Sequence, residues 1–235
     1  MSFLWLFLED NTNRYWFGSI VSLTCVVIAY GASKLIDDEP RLKTVLALFA
    51  CGWVLQMAAY SAPRDAHDIA NLASDLLSFV HIFAGVLLIE ELRTTWTSRL
   101  ITVLQGAAFW LLLALLIPRR QEFHAVLSQA PLTAHQADQV TSLILTLFAY
   151  LSLAAAAWVV TRGGILFWLL MLSLALYAAL NSVRFVELWN ADPQAIPRLG
   201  SALVLGFAAA KLAVTAFFSA IVVTRAAKPM ASAAS

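Results

Sequence analysis

Seven long apolar stretches follow one another along the chain, separated by short connections that carry most of the charged residues. Each stretch is close to the about 20 residues that an α-helix needs to cross the hydrocarbon core of a bilayer. Because a spanning helix satisfies its backbone hydrogen bonds internally, stretches of this length predict transmembrane helices. The pattern therefore predicts an all-α fold, a polytopic seven-helix bundle with spans at 15–35, 42–61, 69–91, 99–117, 139–161, 164–188 and 198–224.

The two ends of the chain differ from this pattern. Residues 1–14 predict an interfacial segment, because Trp5 and Phe7 suit the headgroup region and Glu9 and Asp10 follow at once. We expect no cleavable signal here, since no positive charge precedes the short apolar run. Residues 226–235 are small and polar and predict a flexible tail, which leaves 15–225 as the transmembrane domain. The distribution of Lys and Arg over the connections favours an N-terminus outside.

The composition agrees with a membrane protein. Of the 235 residues, 61% are hydrophobic and 12% are charged, and the mean hydropathy is +0.80. Soluble proteins carry about 25% charged residues. The net charge of +1 gives no reason to expect a nucleic acid. We therefore expect an integral protein of the plasma membrane, the inner membrane of a bacterium. Its expected surroundings are the lipid bilayer, and candidate partners are a membrane or cytoplasmic protein and a second copy of the chain.

Lys211 lies near the middle of the seventh stretch and is the only charged residue between positions 199 and 223. A lysine at such a depth costs about 2.5–3.5 kcal/mol, so charged residues there are usually functional. The third stretch contributes Asp75, Ser78 and His81 at a similar depth. Opposite charges inside a bilayer tend to pair, and Asp75 is therefore the predicted partner of Lys211. A purely structural ion pair is the alternative interpretation.

Other polar residues inside the stretches recur at helical spacing. Lipid offers them no hydrogen bonds, so each set is expected to point into the bundle. For the serines and threonines we favour hydrogen bonding between helices over a binding site. The sets are Ser173, Tyr177, Asn181 and Arg184 in the sixth stretch, Trp53, Gln56 and Tyr60 in the second, and Ser142, Thr146 and Tyr150 in the fifth.

Signatures of soluble enzymes are missing from the sequence. It contains no GxSxG, HExxH, P-loop or GxGxxG motif, so we do not expect an enzyme. A bis-histidine haem needs two histidines deep in the bundle, but His81 is the only one inside a predicted span. We therefore expect neither haem nor another metal site.

In these features the chain resembles the microbial (type I) rhodopsins. The shared features are seven spans, an outer N-terminus, Lys211 in the middle of the seventh span, and Asp75 about five residues into the third. The resemblance implies retinal as cofactor, bound to Lys211 as a Schiff base with Asp75 as counterion. A desolvated lysine is partly neutral and can attack an aldehyde. The candidate cofactor-binding residues are Lys211, Asp75, His81, Ser78, Tyr177, Trp168, Trp53 and Asn181, with Trp110 and Tyr150 as further aromatic walls.

Several positions depart from the rhodopsin pattern. The family's arginine three residues before the aspartate and the tryptophan after it correspond here to Leu72 and Leu76. The family's aspartate four residues before the lysine corresponds to Phe207. Its sixth-helix tryptophan and proline correspond to Tyr177 and Asn181. Proton pumping is therefore not expected of this chain.

Three hypotheses of function follow from the sequence. The first is a diverged rhodopsin-like photosensor or retinal-binding protein with a Schiff-base lysine at Lys211. The second is a small transporter or permease that uses a buried Lys211–Asp75 pair. The third is a non-catalytic membrane subunit or sensory module that docks a partner protein.

Overall fold

The computed structural model describes residues 8, 10–61, 67–90, 134–189 and 200–227. The fourth predicted span, 99–117, the tail 228–235 and most of the predicted interfacial segment lie outside these residues. The described residues form six α-helices: α1 (Asn11–Lys34), α2 (Pro40–Ser61), α3 (His67–Glu90), α4 (Ala134–Thr161), α5 (Ile165–Trp189) and α6 (Ser201–Ala226). The last three correspond to the fifth, sixth and seventh predicted spans.

Five of the six described helices are long and apolar enough to cross a membrane: Thr12–Lys34, Pro40–Ser61, Ser142–Thr161, Ile165–Val186 and Ser201–Ala226. In α3 an apolar stretch covers Leu76–Ile89. The described part of the chain is thus an all-α polytopic membrane protein with five candidate spans, where the sequence predicted seven.

Local sequence determines where the helices begin and end. The side chain of Asp10 accepts a 2.6 Å hydrogen bond from the backbone N–H of Thr12 and so caps α1. Pro40 occupies the first position of α2, where its missing N–H costs nothing. Between α4 and α5 the chain turns through Arg162 and Gly163, with φ of 48° and 85°. Glycine adopts this left-handed conformation without strain, which allows a three-residue turn.

The described helices form a closed ring. Each described helix packs against the next one along the chain, and α6 packs against α1. Helices α2 and α6 are antiparallel neighbours. Phe49 of α2 contacts Phe218 of α6, and Tyr60 of α2 contacts Lys211 of α6, so residue numbers rise in one helix as they fall in the other. Helix α6 also touches α2 and α4. It is therefore the helix best placed to present a side chain to the interior of the ring.

The contact between α3 and α4 is unusually close. A Cβ atom on Gly85 would lie 2.9 Å from the backbone carbonyl atoms of Ser152 and would also overlap its Oγ. The Ser152 hydroxyl donates a 3.0 Å hydrogen bond to the carbonyl oxygen of Ile82. Small residues that let two backbones approach, with a hydroxyl across the contact, are typical of packing between transmembrane helices.

Candidate functional site

Lys211 lies in the interior of the ring, and its side chain is only 3% exposed. Its Nζ atom donates a 2.8 Å hydrogen bond to the phenolic oxygen of Tyr60 on α2. The same Nζ lies 4.7 Å from the centroid of the Tyr60 ring. A hydroxyl acceptor and an aromatic ring together stabilise an amine that lipid would not solvate. Tyr60 is the partner of Lys211 that sequence reasoning missed.

The direction of the lysine side chain explains this contact. Lys211 follows the first residue of α6 by ten positions, or about 15 Å along the helix axis at 1.5 Å per residue. Helical side chains lean toward the N-terminus of their helix, so the ammonium lies closer to that end than its own Cα does. Tyr60, in the last turn of the antiparallel α2, is at the level that the ammonium reaches. The signal in the sequence was the polar face of α2, but the pairing depends on the packing of α2 against α6.

Glycine at position 18 of α1 makes room for the Tyr60 ring. A Cβ atom there would lie 2.9 Å from Cζ and 3.0 Å from both Cε atoms of Tyr60. Real Cβ atoms do not approach a ring so closely, so a larger residue at Gly18 requires the ring to move. Tyr15, one turn earlier, meets the same ring edge to face at 6.4 Å. Helix α1 therefore holds Tyr60 in the position from which its hydroxyl reaches Lys211.

Two further groups lie near the amine. Cys25 of α1 is fully buried, and its thiol contacts the side chain of Thr215 and lies near Lys211. The Thr215 hydroxyl donates a 2.8 Å hydrogen bond to the carbonyl oxygen of Lys211 itself. Tyr177 of α5 is 8% exposed and also lies near Lys211. The amine thus has polar neighbours on α1, α2 and α5.

Tyr177 and Asn181, both predicted as site residues, join α5 to its neighbours. The rings of Tyr177 and Tyr150 lie 5.3 Å apart, and Phe207 of α6 meets Tyr177 at 5.7 Å. The Asn181 amide donates to the Tyr150 hydroxyl and to the Tyr177 carbonyl oxygen, each over 2.9 Å. Asn181 therefore has its amide hydrogens engaged between α4 and α5, whereas Tyr177 borders the Lys211 site.

Trp53 and Gln56 present polar atoms with no hydrogen-bonding partner among the described residues. These atoms are the indole Nε1 of Trp53 and the amide Oε1 of Gln56, in side chains that are 1% and 8% exposed. Both residues precede Tyr60 on the interior face of α2. Buried polar atoms normally have partners, because a bare one costs about 1–3 kcal/mol. This face of α2 can therefore offer one donor and one acceptor to a water molecule or a bound ligand.

His81 belongs to a separate aromatic cluster deeper in the bundle. Its ring stacks on Phe49 at 4.5 Å and meets Trp53 edge to face at 5.0 Å, and Phe218 closes the cluster at 4.6 Å from Phe49. The His81 Nε2 atom lies 3.3 Å from the Phe49 carbonyl oxygen. Gly52 makes room for this ring, since a Cβ there would lie 2.7 Å from Cδ2. The structure thus places His81 in core packing and apart from the Lys211 amine.

The remaining predicted residues have different positions. The side chain of Asp75 and the whole of Trp110 lie outside the described residues, so the Lys211–Asp75 pair remains a prediction. Ser78 is buried at 2% exposure on α3. Trp168 is 59% exposed on α5, so it lies on the surface of the described helices, and its place in the site stays a prediction.

The described geometry assembles a buried primary amine with a phenol against it, a neighbouring thiol and a second phenol, and two unsatisfied polar atoms one to two turns away. Such an amine can donate hydrogen bonds while protonated, and can attack a carbonyl carbon when neutral. In comparisons with known proteins, no family model, no curated protein and no solved structure matches this chain.

Proposed function

We propose that the protein is a membrane-embedded receptor or photosensor that binds a carbonyl ligand covalently at Lys211, with retinal as the ligand. The observation that supports this most is the amine itself: 3% exposed, inside a ring of helices, and 2.8 Å from the Tyr60 hydroxyl. A buried structural lysine would gain nothing from this depth, since an apolar residue there packs at least as well. Covalent use of the amine would give this costly buried lysine a role.

The described residues fit the attachment end of retinal. Lys211 would carry the covalent bond, Tyr60 and Tyr177 would flank the nitrogen, and Trp53 would lie about two turns of α2 away from Tyr60. Bound retinal would supply absorption of visible light. The proposal also includes Asp75 as counterion, and the side chain of Asp75 lies outside the described residues.

The roles of the chain's own groups follow from their positions. Lys211 supplies the nitrogen lone pair once its ammonium has lost a proton. Tyr60 accepts a hydrogen bond from Nζ and so holds the nitrogen in position. The cluster of Phe49, His81 and Phe218 excludes water from the inner side of the site.

An absorption spectrum tests the proposal. Purified protein incubated with all-trans-retinal should develop a visible band that hydroxylamine bleaches. Lys211→Ala should abolish the band, whereas Lys34→Ala should keep it, because Lys34 is an exposed lysine that also lies over a tyrosine ring, that of Tyr30, at 4.8 Å. The same faint band in both variants, or no band in the wild type, would refute the proposal.

A small transporter is the second candidate, and one observation favours it. Polar side chains from α2, α6, α5 and α4 follow one another across the bundle: Tyr60, Lys211, Tyr177, Asn181 and Tyr150. Such a layer can part when a solute or proton passes. In proteoliposomes under an imposed potential, proton flux that Lys211→Met stops and Lys34→Met leaves intact would select the transporter. The docking-subunit hypothesis predicts instead that Lys211→Met still co-purifies with a stoichiometric partner.

A further inference from the structure

Tyr60 lies between Lys211 and one face of the membrane. It is the second-last residue of α2, which ends at Ser61, and its side chain is partly exposed while that of Lys211 is almost completely buried. We call the side of the bundle at which α2 ends the Ser61 face. The opposite side, where α1 ends and Leu35 is 71% exposed, is the Leu35 face. The phenolic oxygen of Tyr60 points inward to Nζ, so the ring covers the amine from the Ser61 face.

Among the described residues, packed rings lie between Lys211 and the Leu35 face. Phe49, Trp53, His81 and Phe218 are each at most 4% exposed, and their ring centroids lie 4.5 to 6.0 Å apart where they meet. Phe218 follows Lys211 on α6 by seven residues, which is about 10 Å further toward the Leu35 face. Aromatic packing of this density leaves no room for a solute to pass.

The Tyr60 ring itself is held mainly by α1. The ring packs in a seat against Gly18, in space that a single Cβ atom at that position would fill. The ring of Tyr15 lies 6.4 Å from the ring of Tyr60, centroid to centroid. Tyr15 is 40% exposed, so the ring has a surface neighbour on the side away from Lys211. On this side of the amine lies one side chain at a helix end, whereas on the opposite side lie four interlocked rings.

We propose that Tyr60 is the gate of the Lys211 site, and that small molecules reach the amine from the Ser61 face when the Tyr60 ring leaves its seat against Gly18. The inference rests on the proposed function only in taking Lys211 as the reacting group. It holds for any small carbonyl compound and does not require retinal.

Cysteine accessibility tests the direction of access. In a background with Cys25 and Cys51 replaced by alanine, Lys211→Cys would be labelled with a charged, membrane-impermeant methanethiosulfonate in vesicles of known orientation. Ser61→Cys and Leu35→Cys mark the two faces, and Thr215→Cys, one turn deeper and fully buried, is the matched interior control. The cysteine at position 211 should be labelled from the same side as the cysteine at position 61. Adding Tyr60→Ala should raise the labelling rate at position 211 about tenfold, equivalent to ~1.4 kcal/mol. Equal labelling from the Leu35 face, or no response to Tyr60→Ala, would overturn the gate.

A second measurement keeps the native lysine. Formaldehyde with cyanoborohydride methylates accessible amines, and peptide mass spectrometry reads each lysine separately. Tyr60→Ala should raise the methylation rate of Lys211 about tenfold over that in Tyr30→Ala, a control at an exposed tyrosine, while Lys34 and Lys43 stay unchanged in the Tyr60 variant. Equal Lys211 methylation in the two variants would overturn the proposal. Because neither experiment uses retinal, a missing retinal band and a failed gate are separate results.

Discussion

The hydrogen bond between Lys211 and Tyr60 should contribute measurably to stability, because the Lys211 amine is shielded from water. Tyr60→Phe removes the acceptor and leaves Nζ without its partner, and Lys211→Met removes the donor. A hydrogen bond to a charged group contributes about 1.5–3 kcal/mol in proteins, whereas side-chain hydrogen bonds between transmembrane helices average about 0.6 kcal/mol and reach about 1.7 kcal/mol. At 2.8 Å, with the lysine 3% exposed, we expect a coupling near the upper membrane value, ~1–2 kcal/mol.

The assay is a double-mutant cycle of unfolding free energies in mixed micelles. Tyr60→Phe alone should destabilise, because it leaves a buried amine without its acceptor. Adding Lys211→Met should recover much of that loss, since an apolar pair packs without desolvation cost. Tyr30 and Lys34 give a matched control, with Nζ 4.8 Å from the ring centroid but an exposed ring. That cycle should give at most about 0.5–1 kcal/mol, the range for an exposed cation–π contact. Additive effects at Tyr60 and Lys211, within about 0.3 kcal/mol, would refute the reasoning.

Three other predictions concern packing and the gate. In thermal unfolding, Gly85→Ala should destabilise the protein by about 1–3 kcal/mol, because the new Cβ would lie 2.9 Å from the Ser152 backbone. Gly31→Ala is the control and should be neutral or stabilising, because a Cβ there has nothing within 4 Å. Equal effects of the two substitutions would contradict the close α3–α4 contact. Gly18→Ala should displace the Tyr60 ring and speed Lys211 methylation, and an unchanged rate would show that the ring is not seated there. Trp168→Leu should leave stability and any retinal band unchanged, since Trp168 is 59% exposed on the surface of the described helices; loss of the band would show that Trp168 belongs to the site.

Most of the helical architecture follows from the apolar pattern. Spans predicted at 15–35, 42–61, 139–161, 164–188 and 198–224 correspond to helices that begin and end within a few residues of those bounds. The third span was predicted from 69–91, and the helix present there, His67–Glu90, contains the apolar stretch Leu76–Ile89. Hydropathy is a local property, so it gives helices reliably and cannot give the order in which they surround the interior.

Lys211, the centre of the candidate site, was predicted from the sequence, but the side chains that contact it were not. Lys211 is evident from the sequence because a charge deep in lipid is costly. Its partner was sought among opposite charges, which led to Asp75, whereas the described contact is a neutral phenol 151 residues away along the chain. Gly18 and Gly52 make room for Tyr60 and His81, and such roles depend on three-dimensional packing that one sequence does not encode in any periodic pattern.

The most direct test of the central claim is to trap the ligand on the lysine. After incubation with retinal, borohydride reduction would convert an imine into a stable secondary amine, which peptide mass spectrometry can assign to one of the chain's four lysines, Lys34, Lys43, Lys211 and Lys228. The account predicts an adduct on Lys211 that Lys211→Ala removes and Lys34→Ala retains. An adduct spread over Lys34 and Lys43, or none at all on Lys211, would contradict it.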